Sequence, residues 1–195
     1  VTETVSDRLR TVFEKIDAFN AADPRKAEYG GTTWPYEAAY ARRLTDWVLR
    51  LKPDASEPLR AAAWGQHVGR WTVPRDSYPE GRGGYLRWRE ALKVFHARTV
   101  CGFMADAGFD PLSVARAEAI VRKRDLTDPD TQILEDALCL VFLETQFEDL
   151  RRQEPPEKMK EIVRKTWRKM GPAGRAAALT LNLPPDSAAF LKDCL

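Results

Sequence analysis

The sequence predicts an all-α protein: a single-domain helical bundle covering residues 1–195, with about seven to nine helices. Three observations point there. Apolar residues recur at three- and four-residue spacing in segment after segment, as on one face of a helix. No segment alternates apolar and polar residues with the period of two that marks a half-buried strand. The stretch LRAAAWGQHVGRWTVPR, from Leu59 to Arg75, is apolar on every side, which suits a central helix surrounded by others.

Composition sets the outer bounds. With 195 residues, 44% hydrophobic and 31% charged, the chain fits one globular domain whose core is large enough to enclose a polar pocket. No apolar run approaches the roughly 20 residues that span a bilayer, so no membrane association is expected. A formal charge of +2 does not indicate nucleic acid, although local basic clusters suit a small anionic substrate. The segment VTETVSDRLR has neither a basic nor an apolar leader pattern. Cys101, Cys139 and Cys194 are irregularly spaced and read as reduced core thiols. Together these predict a cytoplasmic location.

Taken in order, Ser6 precedes a helix carrying Leu9, Val12, Phe13, Ile16 and Phe19 on one side, stopped by Asn20 to Pro24. A Gly-Gly-Thr-Thr loop follows, and Pro35 suits the first position of a helix striped by Tyr40, Leu44, Trp47, Val48 and Leu51. Glu37 opens the inward face of that helix. It serves either as favourable charge at a helix start or as an acid facing a site. Ser56-Glu57-Pro58 starts the central helix, where Gln66, His67 and Arg70 share a face with Leu59 and Ala63. A buried amide or imidazole needs partners, because an unpaired one costs about 1–3 kcal/mol.

The loop TVPRDSYPEGRGG carries Arg75 and Arg82 and reads either as a cover for a pocket or as a solvated connector. From Tyr85 a long helix runs to Ala107, with Trp88, Leu92, Phe95, His96, Thr99 and Phe103 on one face. Both histidines therefore point inward, on consecutive helices. Asp110-Pro111 begins a shorter helix ending in Arg122-Lys123-Arg124, and Asp128-Pro129 begins another whose Ala137–Leu143 run is almost wholly apolar. Asp136 shares a face with Ile133, Leu140 and Leu143, so its carboxylate should be paired, protonated or metal-bound. Pro155-Pro156 and Gly171-Pro172 divide the remainder into short helices.

Two resemblances follow. The strings FEKIDAFNAADP, WPYEAAYARR, QHVGRWTVPR, YPEGRGGYLRWR, FHA, LEDALCLVFLE and KTWRKMGPAG resemble the uncharacterised domain-of-unknown-function family 4202. The helix order, with QHVG and LEDA, also resembles a degenerate HD-domain metal-dependent phosphohydrolase. Glu37 or Tyr40 stands near that superfamily's first His, Gln66-His67 in place of its His-Asp doublet, His96 near a later His, Lys123 in the region of another, and Asp136 at its final Asp. That likeness implies an HD-like outline and a hydrolase of small phosphorylated or nucleotide-like molecules.

The residue types support the same expectation directly. Glu37, His67, His96 and Asp136 are oxygen and nitrogen donors suited to one divalent Mn, Fe or Zn ion. Gln66, His67, His96 and Asp136 are the expected catalytic group, and Arg70, Arg75, Tyr85 and Lys123 the expected substrate contacts. A non-haem iron oxygenase would use the same donors. Without metal, His67 or His96 would act as a general base tuned by Glu37 or Asp136. A different class of protein, a helical module that binds a ligand, protein or RNA without turnover, fits the same frame.

Overall fold

A computed structural model describes residues 5–195; the first four residues, part of the segment read for a leader, lie outside it. The fold is all-α apart from one small hairpin. Helix α1 (Asp7–Asn20) is capped by the Ser6 side chain, which accepts from the Leu9 amide. Strands β1 (Lys26–Tyr29) and β2 (Thr32–Pro35) then pair antiparallel, with Ala27 opposite Trp34. Gly30 and Gly31 join them at φ 59° and 73°, the left-handed pair that a tight two-residue hairpin turn requires. The sequence reading expected only a loop here; strands of four residues are too short to show a period-two pattern.

Helix α2 (Tyr36–Leu51) leads to α3 (Glu57–Gly65), which starts where Ser56 accepts from the Leu59 amide. The expected central helix is real but short. It ends at Gly65, and Gln66 and His67 lie in the turn beyond rather than within it. Gly69 at φ 62° and two 3₁₀ turns, Arg70–Thr72 and Arg75–Ser77, complete the connection. Then come α4 (Gly81–Asp106), α5 (Pro111–Arg122), α6 (Pro129–Thr145), α7 (Phe147–Gln153), α8 (Pro156–Lys169), α9 (Pro172–Ala178) and α10 (Pro185–Asp193). Asp110 and Asp128 cap α5 and α6, each ahead of a proline that fits a helix's first turn. The ten α-helices among the described residues exceed the expected number because the chain also breaks at Gln146, between α6 and α7, where no proline or glycine marks the boundary.

Helix α3 lies between two apolar clusters. Leu59, Ala62 and Ala63 join Leu44, Val48, Leu134, Leu140 and Phe147 on one side. Ala61 joins Leu9, Val12, Ile16, Val100 and Met104 on the other. Gly65 closes the second contact: a β-carbon there would run into Val100 Cγ2 and crowd Ile16. The end of α3 is thereby seated on α4, and the turn after α3 and α4 itself each carry part of the polar cluster described next. Among the described residues, no helix is long and apolar enough to cross a membrane.

Candidate functional site

A cavity of about 400 Å³ lies between the turn after α3 and the inner faces of α4, α6 and α8. Its floor is an aromatic and imidazole group. His67 stacks on Tyr40 with centroids 4.0 Å apart and planes 16° from parallel, and His96 lies 5.8 Å from His67. Tyr40 is almost fully buried, and burial pushes its phenol far above the ordinary range. Gln66, His67 and His96 thus converge as their sequence pattern suggests, and all three line the cavity.

A buried carboxylate stands behind His67. The Nδ1 atom of His67 is 3.4 Å from Glu37 Oε2, while Glu37 Oε1 accepts from Arg25 at 2.8 Å. The same guanidinium is 2.9 Å from Asp23 Oδ2, and that oxygen also accepts the Glu37 amide at 3.2 Å. Glu37 and Asp23 are buried, and the hairpin delivers Arg25 to both of them. Burial lowers the His67 pKa below its ordinary value, and Glu37 opposes the shift. Burial likewise holds His96 well below, with His67 and Arg70 pushing the same way. Both rings are therefore neutral near pH 7. Gln66 Oε1 and His96 Nε2 are buried without a hydrogen-bond partner.

Cations crowd the rest of the wall. Arg70, Arg89, Lys93, Lys123 and Lys169 line the cavity against one carboxylate, Glu135. Arg70 rests on the Trp88 ring at 4.7 Å. Burial lowers its pKa, and Glu37 opposes that shift. Arg89 donates to the Tyr85 hydroxyl at 3.0 Å. Lys123 caps α5 in a left-handed conformation, φ 53°, and is ion-paired with Glu135; Lys169 approaches the other Glu135 oxygen at 3.7 Å. Burial draws the Lys123 pKa down, and Glu135 opposes it. For Glu135, burial acts to raise the pKa, but the two lysines outweigh it and the net shift is downward.

The model of the family described as "Domain of unknown function (DUF4202)" matches residues 10–191. The chain belongs to this family. No curated protein and no solved structure matches it, and the HD-domain likeness has no match of its own.

In this DUF4202 chain two expected site residues stand elsewhere. Asp136 is buried, but its carboxylate accepts from the Gly171 amide at 2.7 Å, the Gly174 amide at 3.1 Å and Gln132 Nε2 at 2.7 Å. It fastens the start of α9 to α6 instead of reaching the cavity, where the preceding residue, Glu135, stands in its place. Arg75 turns into its own loop and donates to the carbonyls of Tyr78 and Pro79, both at 3.0 Å, so the loop is a clasp and not a cover with a cation pointing inward. Sequence reasoning passed over Glu135, Arg89, Lys93 and Lys169. Adjacent residues on a helix differ by about 100° in direction, so LEDA alone does not tell which acid faces the cavity, and isolated basic residues on amphipathic helices look like solvated faces.

The expected metal ligands do not form a set. Among the described residues, no three His, Cys, Asp or Glu side chains are grouped to hold an ion. Asp136 is committed to α9, and one Glu37 oxygen is committed to Arg25. The same placement breaks up the two-histidine, one-carboxylate arrangement of an iron oxygenase. What the cavity does hold is a carboxylate-backed neutral imidazole facing a cationic wall.

Proposed function

We propose that the chain hydrolyses a small phosphorylated molecule, holding the phosphate with the cationic wall and activating water through His67. One observation carries this reading: five cations and a single carboxylate surround a cavity whose floor is a neutral histidine backed by a buried glutamate. Phosphate oxygens are well matched by Arg70, Arg89 and Lys123, which would also offset the charge that develops on the phosphoryl group in the transition state.

Glu37 favours the His67 tautomer that carries hydrogen on Nδ1, leaving Nε2 free to accept a proton. His67 would take that proton from water as the water oxygen bonds to phosphorus and the ester P–O bond breaks. The proton then passes to the departing alkoxide, so His67 ends neutral. The free thiols of Cys101, Cys139 and Cys194 support the finer reading of a reducing, cytoplasmic setting. The Cys139 thiol, pushed up to about 12 by burial, plays no nucleophilic part.

The test is release of inorganic phosphate from a panel of phosphomonoesters, together with calorimetric binding of inorganic phosphate. The expected result is turnover by the unaltered chain that falls at least about 100-fold in His67→Gln while phosphate affinity is retained. The absence of both binding and turnover would overturn the proposal. A second reading, binding without turnover, is favoured by one detail: His67 Nδ1 and Glu37 Oε2 approach closely without forming an aligned hydrogen bond. Phosphate binding with no ester cleaved would decide for it.

A further inference from the structure

The cavity has two chemically different ends. Helices α6 and α8 run antiparallel along it, and two contacts fix their register. At one end Lys169 Nζ is 3.7 Å from Glu135 Oε1, and in the middle Cys139 Sγ is 3.9 Å from the Thr166 carbonyl. Seven residues beyond Glu135 on α6 and seven back from Lys169 on α8 bring Phe142 opposite Ile162, about 10 Å from the charged end. Leu138 lies between. Each of these three side chains is only partly buried and is presented to the cavity. An apolar wall about 10 Å from several cations suits a ligand with one charged and one apolar end, because covering apolar surface removes it from water.

Two further observations also call for a ligand. At about 400 Å³ the cavity falls within the range of small-molecule sites, roughly 300–1,000 Å³, and a phosphate group alone leaves most of it empty. Gln66 and His96, each at least nine-tenths buried, line it as well, and Gln66 Oε1 and His96 Nε2 have no partner within the protein.

We infer that the ligand is an organic phosphate monoester whose other part is a ring-sized apolar group, with the phosphate at the Lys123–Lys169 end and the ring against Leu138, Phe142 and Ile162. This rests on the phosphate-binding reading above and narrows it. Polyols and sugar phosphates would leave the apolar wall wetted. Polyphosphates would place charge on it.

The test compares inorganic phosphate, glycerol 3-phosphate and phenyl phosphate by titration calorimetry on the full chain. Phenyl phosphate is expected to bind at least ten-fold more tightly than glycerol 3-phosphate, about 1.4 kcal/mol. Ile162→Thr should reduce that advantage several-fold and leave inorganic phosphate affinity as it was. If phosphate and glycerol 3-phosphate bind and phenyl phosphate gains nothing, the ring assignment fails and the phosphate site stands. If no phosphate compound binds, the proposed function fails with it. A phenyl advantage undiminished in Ile162→Thr overturns the placement against α8, and should that variant not fold, the ligand series on the unaltered chain still decides the class.

Discussion

His67 Nδ1 lies 3.4 Å from Glu37 Oε2, and the other oxygen of the same carboxylate is held at 2.8 Å by Arg25. The imidazole thus lies beside an acid whose own position is set by Arg25, at the start of the hairpin. Replacing Glu37 with Gln keeps the shape and removes the charge. Turnover of a phosphomonoester should fall about 100-fold. The pH profile gives the more specific reading. Glu37 opposes the downward shift of His67, so its loss lowers that pKa further and moves the acid limb of the rate profile to lower pH. An unmoved limb would separate Glu37 from His67.

Stability should depend on the same two rings. Burial lowers both His67 and His96 in the folded chain, so just below about pH 6.5, the ordinary histidine value, the unfolded chain binds more protons than the folded one. Stability is therefore full above that pH and declines as pH falls from it toward the folded-state values. Urea denaturation at pH 7.5 and pH 5.5 should show the loss, and His96→Gln should flatten it. A chain equally stable at both values would mean that His96 is not buried as a neutral ring.

Glu135 is an anion already resident among the cations proposed to hold phosphate, with a side chain only 7% exposed. On that proposal an incoming phosphate would compete with it for Lys123 and Lys169. Glu135→Gln should raise affinity for inorganic phosphate about ten-fold at low salt, while breaking the mostly buried pair lowers folding stability by about 3 kcal/mol. Titration and denaturation read the two effects separately. Weaker phosphate binding in the variant would show that Glu135 positions the lysines instead of competing for them.

Asp136, by contrast, should matter to folding and not to binding. Its carboxylate accepts from two backbone amides at the start of α9, and hydrogen bonds to a charged group contribute about 1.5–3 kcal/mol each. Asp136→Asn should therefore destabilise the chain by about 3 kcal/mol and leave phosphate affinity unchanged. Gly174→Ala should act similarly, because its new methyl would lie 2.5 Å from Asp136 Cγ. A loss of affinity with stability intact would restore Asp136 to the site.

The all-α class and the inward facing of His96 were legible because helical periodicity reports which face is buried; Gln66 and His67 also line the cavity, but from the turn after α3 and not from the helical face expected of them. Glu37 was legible as an acid at the head of an inward face, but its partners Arg25 and Asp23 were not, since the hairpin that brings them in leaves almost no periodic signal. Asp136 was correctly read as buried and in need of a partner. The partner proved to be backbone amides of a distant helix start, which carry no side-chain signature in sequence. Lys123 was legible as a substrate contact from its basic run as well as from resemblance, but its left-handed backbone became visible only in three dimensions. Arg75 misled because an arginine in a long loop looks the same whether it reaches a ligand or its own carbonyls.

Gly65 touches no ligand and offers no chemistry, yet it sets the spacing of the two imidazoles. His67 follows it by two residues, and Val100, the residue it rests against, is one helical turn beyond His96. A valine side chain has little rotational freedom with which to yield. Even a methyl group at position 65 would wedge the two backbones apart and carry the rings with them. A substitution tolerated by the fold at this position would still move the two rings apart, so Gly65 acts as a spacer whose required size is zero.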